Sequence, residues 1–160
     1  MAIPHTVQEM QSGIVGTLAK LGPSRVRAAL LDYDETKDRK AYPGRAATFN
    51  GEQTVDVGVE GAFAGIILGN QRVLSATQDE HYLTGDAIEV ITMGEVFVTL
   101  ELGADIKRGD AVFFENATGK IGAGVADEGQ TQIENAVVTD VGNNGVVPAL
   151  ARIMLTGPVA

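Results

Sequence analysis

Residues 95–102 read Glu-Val-Phe-Val-Thr-Leu-Glu-Leu, the most regular alternation in the chain. It sets Val96, Val98, Leu100 and Leu102 on one face and Glu95, Phe97, Thr99 and Glu101 on the other. That is the period-two pattern of a half-buried strand, and no helix can satisfy it. Phe97 leaves the second face only partly polar. Shorter segments repeat the theme. Val55, Val57 and Val59 alternate with Thr54, Asp56 and Gly58. Gly65-Ile66-Ile67-Leu68 is a short apolar run that fits a buried strand. Ile88-Glu89-Val90-Ile91, Ala111-Val112-Phe113-Phe114 and Ala136-Val137-Val138-Thr139-Asp140-Val141 follow. Turn chemistry separates them. Gly85-Asp86 and Gly109-Asp110 each precede a strand, 116–119 reads as a turn, and Gly142-Asn143-Asn144-Gly145 signals a hairpin whose return strand runs through 149–155. The 84–88 and 108–112 segments are similar, which reads as one turn chemistry used twice. Short intervals between turn signals predict a mainly β fold, a small antiparallel barrel or sandwich of jelly-roll or tulip-like form. Barrel and sandwich fit the same strand list.

The first 42 residues differ in kind. Val7, Met10, Ile14, Leu18 and Leu21 fall at helical spacing, but Gly13 and Gly16 interrupt them and Gly22-Pro23 ends the pattern. We expect an extended N-terminal arm over 1–42 with at most a short helix, followed by a β-domain over 43–160. The charge divides at nearly the same place. Residues 1–45 hold seven Lys or Arg against five Asp or Glu, a surplus of two positive charges. Residues 46–160 hold five against sixteen, a surplus of eleven negative charges, and the whole chain has a net charge of −9. A body this acidic repels phosphate, so no nucleic-acid partner is expected. No stretch approaches the ~20 apolar residues needed to span a bilayer, and no leader pattern is evident, so no membrane partner is expected either.

Reactive constellations are sparse. The chain has no cysteine, so disulfides, thiolate nucleophiles and cysteine-based zinc sites are excluded. Its two histidines, His5 and His81, form no H-E-x-x-H pattern. Ser12, Ser24 and Ser75 lie in no nucleophile elbow, and no phosphate loop is present. Asp32, Asp34, Thr36 and Asp38 alternate as in a calcium loop, but Lys37 and Pro43 stand where that loop needs Gly and Glu. We therefore expect no catalytic residues, no metal and no cofactor: a non-enzymatic protein.

The ordered turns and strands resemble the structural cement, or head decoration, proteins of tailed bacteriophages. The resemblance begins with Gly16-Thr17-Leu18-Ala19, Gly22-Pro23 and Pro43-Gly44-Arg45-Ala46-Ala47, and continues at Gly65-Ile66-Ile67. Tyr82-Leu83-Thr84-Gly85-Asp86-Ala87-Ile88-Glu89-Val90 with Gly94-Glu95-Val96-Phe97-Val98 is its most specific part. It runs on through Gly109-Asp110-Ala111-Val112-Phe113-Phe114 and from Ile133 to Leu155. It implies a trimer at capsomer junctions on the outer capsid surface of a virion, made in the host bacterial cytoplasm. The partner is then the major capsid protein, reached by the arm. The arm's apolar and basic side chains nominate Val7, Ile14, Leu18, Lys20, Arg25 and Arg27 as capsid contacts, separable by deletion before Asp32. A tail tube or tail-completion subunit, or a virion-displayed carbohydrate-binding module, would share the β pattern. With no Trp and three Tyr, the chain offers few rings for a sugar platform.

Overall fold

Alternation becomes nine strands in the computed structural model, which describes residues 15–19, 23–69 and 80–156. They are β1 (Arg25–Leu31), β2 (Ala46–Phe49), β3 (Thr54–Val57), β4 (Phe63–Ile67), β5 (Ala87–Leu102), β6 (Ala111–Glu115), β7 (Ile121–Ala123), β8 (Gln130–Val141) and β9 (Ala149–Thr156). A tight turn at Asn143–Gly145 stands between the last two, with Asn143 and Asn144 both in the left-handed conformation of a type I′ turn and Gly145 N–H donating to Gly142 O at 3.1 Å. The chain is mainly β, and between barrel and sandwich it takes the barrel.

Strand pairing closes two rings that share β5. One runs β1-β3-β2-β4-β5 and returns to β1; the other runs β5-β7-β6-β8-β9 and returns to β5. In each ring the pairs are antiparallel except one: β1 with β3 in the first, β5 with β7 in the second. The match extends to individual hydrogen bonds. Gly44 N–H donates to Ile67 O at 2.7 Å and Ile67 N–H to Arg45 O at 2.9 Å. In the second ring Gly109 N–H donates to Val138 O at 2.7 Å and Val138 N–H to Asp110 O at 3.0 Å. Each ring carries a bulge at the corresponding place, after Ala47 and after Ala111. The echo between 84–88 and 108–112 is also real as turn chemistry. Asp86 N–H donates to Leu83 O and Asp110 N–H to Lys107 O. Each Asp carboxylate accepts the N–H three residues back, both at 2.8 Å, and Gly85 and Gly109 supply the positive φ.

β5 is where sequence and structure part. The 88–91 and 95–102 segments read as separate strands, yet they are one strand of 16 residues. Gly94, at φ +122, lets the backbone swing from the first barrel wall into the second without a break. Val90 faces the first core and Ile91 the second, which is why two adjacent residues are both fully buried. Val55, Val57, Ala64, Ile67, Ile88 and Val90 fill the first core. Val96, Val98, Leu100, Phe114, Ile121, Ile133 and Ile153 fill the second, and Ile66 and Ile91 extend it across the junction.

The barrels meet closely. Ala46 N–H donates to Gly119 O at 2.9 Å and Val59 N–H to Asn116 O at 2.7 Å. Gly58 sits at φ +69, and a Cβ there would lie 2.7 Å from Gly119 N, so the backbones can approach this far only at glycine. Phe63 and Phe114 stack across the seam with ring centroids 6.1 Å apart. Arg45 Nη1 donates to the carbonyls of Asp38, Lys40 and Thr118, each at 3.1 Å, tying the β1–β2 connection to the second barrel. Its burial lowers the guanidinium pKa from the ordinary value.

The described part of the N-terminal 42 residues differs from an extended arm. Arg25–Leu31 is β1, a wall of the first barrel, paired with β5 from Arg25↔Met93 to Leu30↔Ala87. Tyr33 and Ala41 are buried with it. Alternation explains why: Ala29 and Leu31 face inward, and Arg25 and Arg27 hold the same face nearer the barrel mouth. Two arginines at inward positions concealed the strand. Leu18, read as part of a helical stripe, instead forms an extended bridge with Val96. The rest of that stripe, Val7, Met10, Ile14 and Leu21, lies outside the described residues.

Candidate docking surface

A protein that holds others together needs surfaces, and the described residues offer two of note. The first is made by residues 15–19. Between the reach of β1 and that of β7, the 95–97 stretch of β5 has one side open, and residues 16–19 fill it. Gly16 N–H donates to Phe97 O at 2.9 Å, Phe97 N–H to Thr17 O at 3.0 Å, and Ala19 N–H to Glu95 O at 2.9 Å. Gly16 also accepts from Gly69 N–H at 2.9 Å, and at φ +79 it lies against Pro43 where no Cβ would fit. Leu18 remains 38% exposed. The chain thus enters its domain along β5, over the seam between barrels.

The second is the mouth of the first barrel. β1 pairs with β3 only at Leu30 and Leu31, so among the described residues 25–29 have no strand beside them on that edge. The wall opens into a groove of about 590 Å³ that continues over β8 and β9 of the second barrel. Phe49, Phe63 and Leu155 give it apolar lining, Gln132 an amide, Glu134 one carboxylate, and Arg25 and Arg27 two guanidinium groups. The Arg27 guanidinium lies over the Phe49 ring, 4.9 Å from its centroid, and donates to Glu52 O at 3.1 Å. Neither arginine has an acidic partner among the described residues. The contrast with Arg39 is direct. Arg39 is committed to the Asp56 carboxylate and to Val57 O, yet burial still raises the Asp56 pKa from its ordinary 3.8.

Of the residues nominated from sequence, Leu18, Arg25 and Arg27 are described, and the structure separates them. Leu18 bridges β5, whereas both arginines line the groove. Val7, Ile14 and Lys20 lie outside the described residues. Phe49 was missed, because an aromatic at a strand end reads as core. Val125, the most exposed large apolar side chain described at 87%, was missed too. It sits in a glycine-flanked turn, where one valine among polar residues carries no periodic signal.

His81 Nε2 meets Glu35 Oε1 at 2.9 Å on the surface. The acidic stretch after β1 forms a local turn, with the Arg39 N–H donating to the Thr36 hydroxyl at 3.2 Å. No group of three or more potential metal ligands occurs among the described residues.

Comparison with known proteins agrees with this geometry. No curated protein matches the sequence. Among solved structures, a chain from the capsid of Myoviridae phage XM1 has the same fold, with a TM-score of 0.71 at 20% identity over 98% of both chains. The sequence profile of the structural cement proteins (E217 gp24/Pam3 gp6) matches residues 3–156. The chain therefore belongs to the phage structural cement protein family and is a capsid-associated component of the virion.

Proposed function

We propose that this protein cements the outer surface of a phage capsid by binding the major capsid protein, as a trimer at capsomer junctions. The observation that carries this is the family match over nearly the whole chain, on a fold shared from end to end with a chain of a phage capsid. The physical form suits the task. Two barrels fused through one strand and a glycine-tight seam make a stiff body. A symmetric oligomer adds its weak contacts at high effective concentration.

The coat contacts belong to the N-terminal segment: Val7, Ile14 and Lys20, together with Leu18, the apolar side chain that residues 15–19 present at the seam. A segment that orders on docking can wrap a large surface. Arg25 and Arg27 are set apart from this group by their place in the barrel wall, and deletion up to Asp32 would remove β1 itself. The deletion that tests the reading is residues 1–14. Co-sedimentation with undecorated, expanded phage heads should show saturable binding of the full chain in multiples of three. The truncated chain should fold and lose that binding. Full binding by the truncated chain would move the contacts to the body, and no binding by the full chain would remove the capsid reading.

A further inference from the structure

The first barrel's groove holds two arginines that have no acidic partner among the described residues, on a body whose residues 46–160 are strongly acidic. The opposite feature stands on the loop between β7 and β8. There Val125 projects into solvent, and Asp127 and Glu128 are exposed and form no ion pair among the described residues. The loop is held in shape by its own hydrogen bonds: Asp127 N–H donates to Gln130 Oε1 at 2.8 Å and Gln130 N–H to Asp127 O at 3.1 Å. It is therefore pre-ordered, and docking it costs little conformational entropy. An exposed apolar side chain beside two carboxylates complements a groove with an aromatic floor and two guanidinium groups, which outnumber the one carboxylate in its lining, Glu134.

We propose that the groove receives the 124–129 loop of a second copy of this chain. Val125 would enter over Phe49 and Phe63, and Asp127 and Glu128 would pair with Arg25 and Arg27. Guanidinium–carboxylate pairs at the edge of an apolar contact set its register and exclude like-charged alternatives. Desolvated aromatic and arginine side chains are also the types that dominate interface energetics. The contact goes beyond capsid binding and stands apart from it, because both of its halves lie on this chain.

Charge reversal on each side and then on both tests it by sedimentation equilibrium, with circular dichroism to establish that every variant is folded. Arg25→Glu with Arg27→Glu should weaken self-association by about tenfold or more, and Asp127→Arg with Glu128→Arg should do the same. The chain carrying all four changes should associate again, since every groove then meets a loop of opposite charge. A chain free of cysteine also permits a direct check. Thr92→Cys in the groove of one copy and Val125→Cys in another should form a disulfide between chains under mild oxidation. A wild-type chain that stays monomeric would overturn the proposal. So would charge-reversed chains that associate as tightly as the wild type, or a chain with all four changes that fails to recover.

Discussion

The two barrels are built to one plan and filled differently. In the second, Val96 on β5 stands opposite Ile153 of β9 and is fully buried. The corresponding place in the first barrel is Arg27 on β1, opposite Val90 of β5. An identical pairing scheme thus yields a sealed core where the inward residue is valine and an open mouth where it is arginine. Topology sets where a barrel wall runs. The inward side chains decide whether it closes on itself or stays open to another molecule. The second barrel reads as the stabilising half and the first as the half that offers a surface.

Exchanging the two residues breaks the comparison most severely. Val96→Arg buries a charge with no partner in the second core and should cost more than about 4 kcal/mol, enough to unfold a typical domain, read as loss of the cooperative melting transition. A folded, cooperatively melting Val96→Arg chain would mean that the second barrel is not sealed. Next comes truncation of an aromatic. Phe114→Ala, in the second core, should cost about 3–5 kcal/mol in urea unfolding. Phe49→Ala, at the half-buried edge of the groove, should cost about 1 kcal/mol. Equal costs would erase the distinction between the halves.

The seam provides the third step. Gly58→Ala combines a left-handed backbone, about 1 kcal/mol, with a clash against Gly119 worth about 1–3 kcal/mol more. Gly85→Ala has the same backbone strain but open space around it, so its midpoint should shift by the strain alone. The smallest effect is expected for Arg27→Val, the reverse of the first exchange. It gives up a cation–π contact and one hydrogen bond at a solvent-open mouth, so stability should change by no more than about 1 kcal/mol. A large loss of stability would show that Arg27 supports the barrel rather than equipping its mouth.

Much of this was legible in the residues. The alternation at 95–102 placed Val96, Val98 and Leu100 in the core, and Gly85-Asp86 and Gly109-Asp110 announced turns before strands. The candidate surface was legible only in part. Arg25 and Arg27 stood out as basic residues ahead of an acidic body, but their seat in a barrel wall did not. A strand whose inward positions begin with two arginines lacks the alternation that would reveal it. Val125 carried no signal because exposure depends on what lies around a turn.

The sequence by itself determined the class of local structure, the faces of the strands and the turns between them. Each of these follows from short-range sterics and from the two-residue period of an extended chain. Only the tertiary structure decided that 88–91 and 95–102 are one strand, that β1 lies parallel to β3 as β5 does to β7, and that two rings close around a shared wall. A period of two tells which face of a strand is buried but not which strand lies beside it. Partner choice rests on contacts between residues far apart in the chain, such as Gly58 with Gly119 and Phe63 with Phe114, whose fit exists only once both barrels have closed.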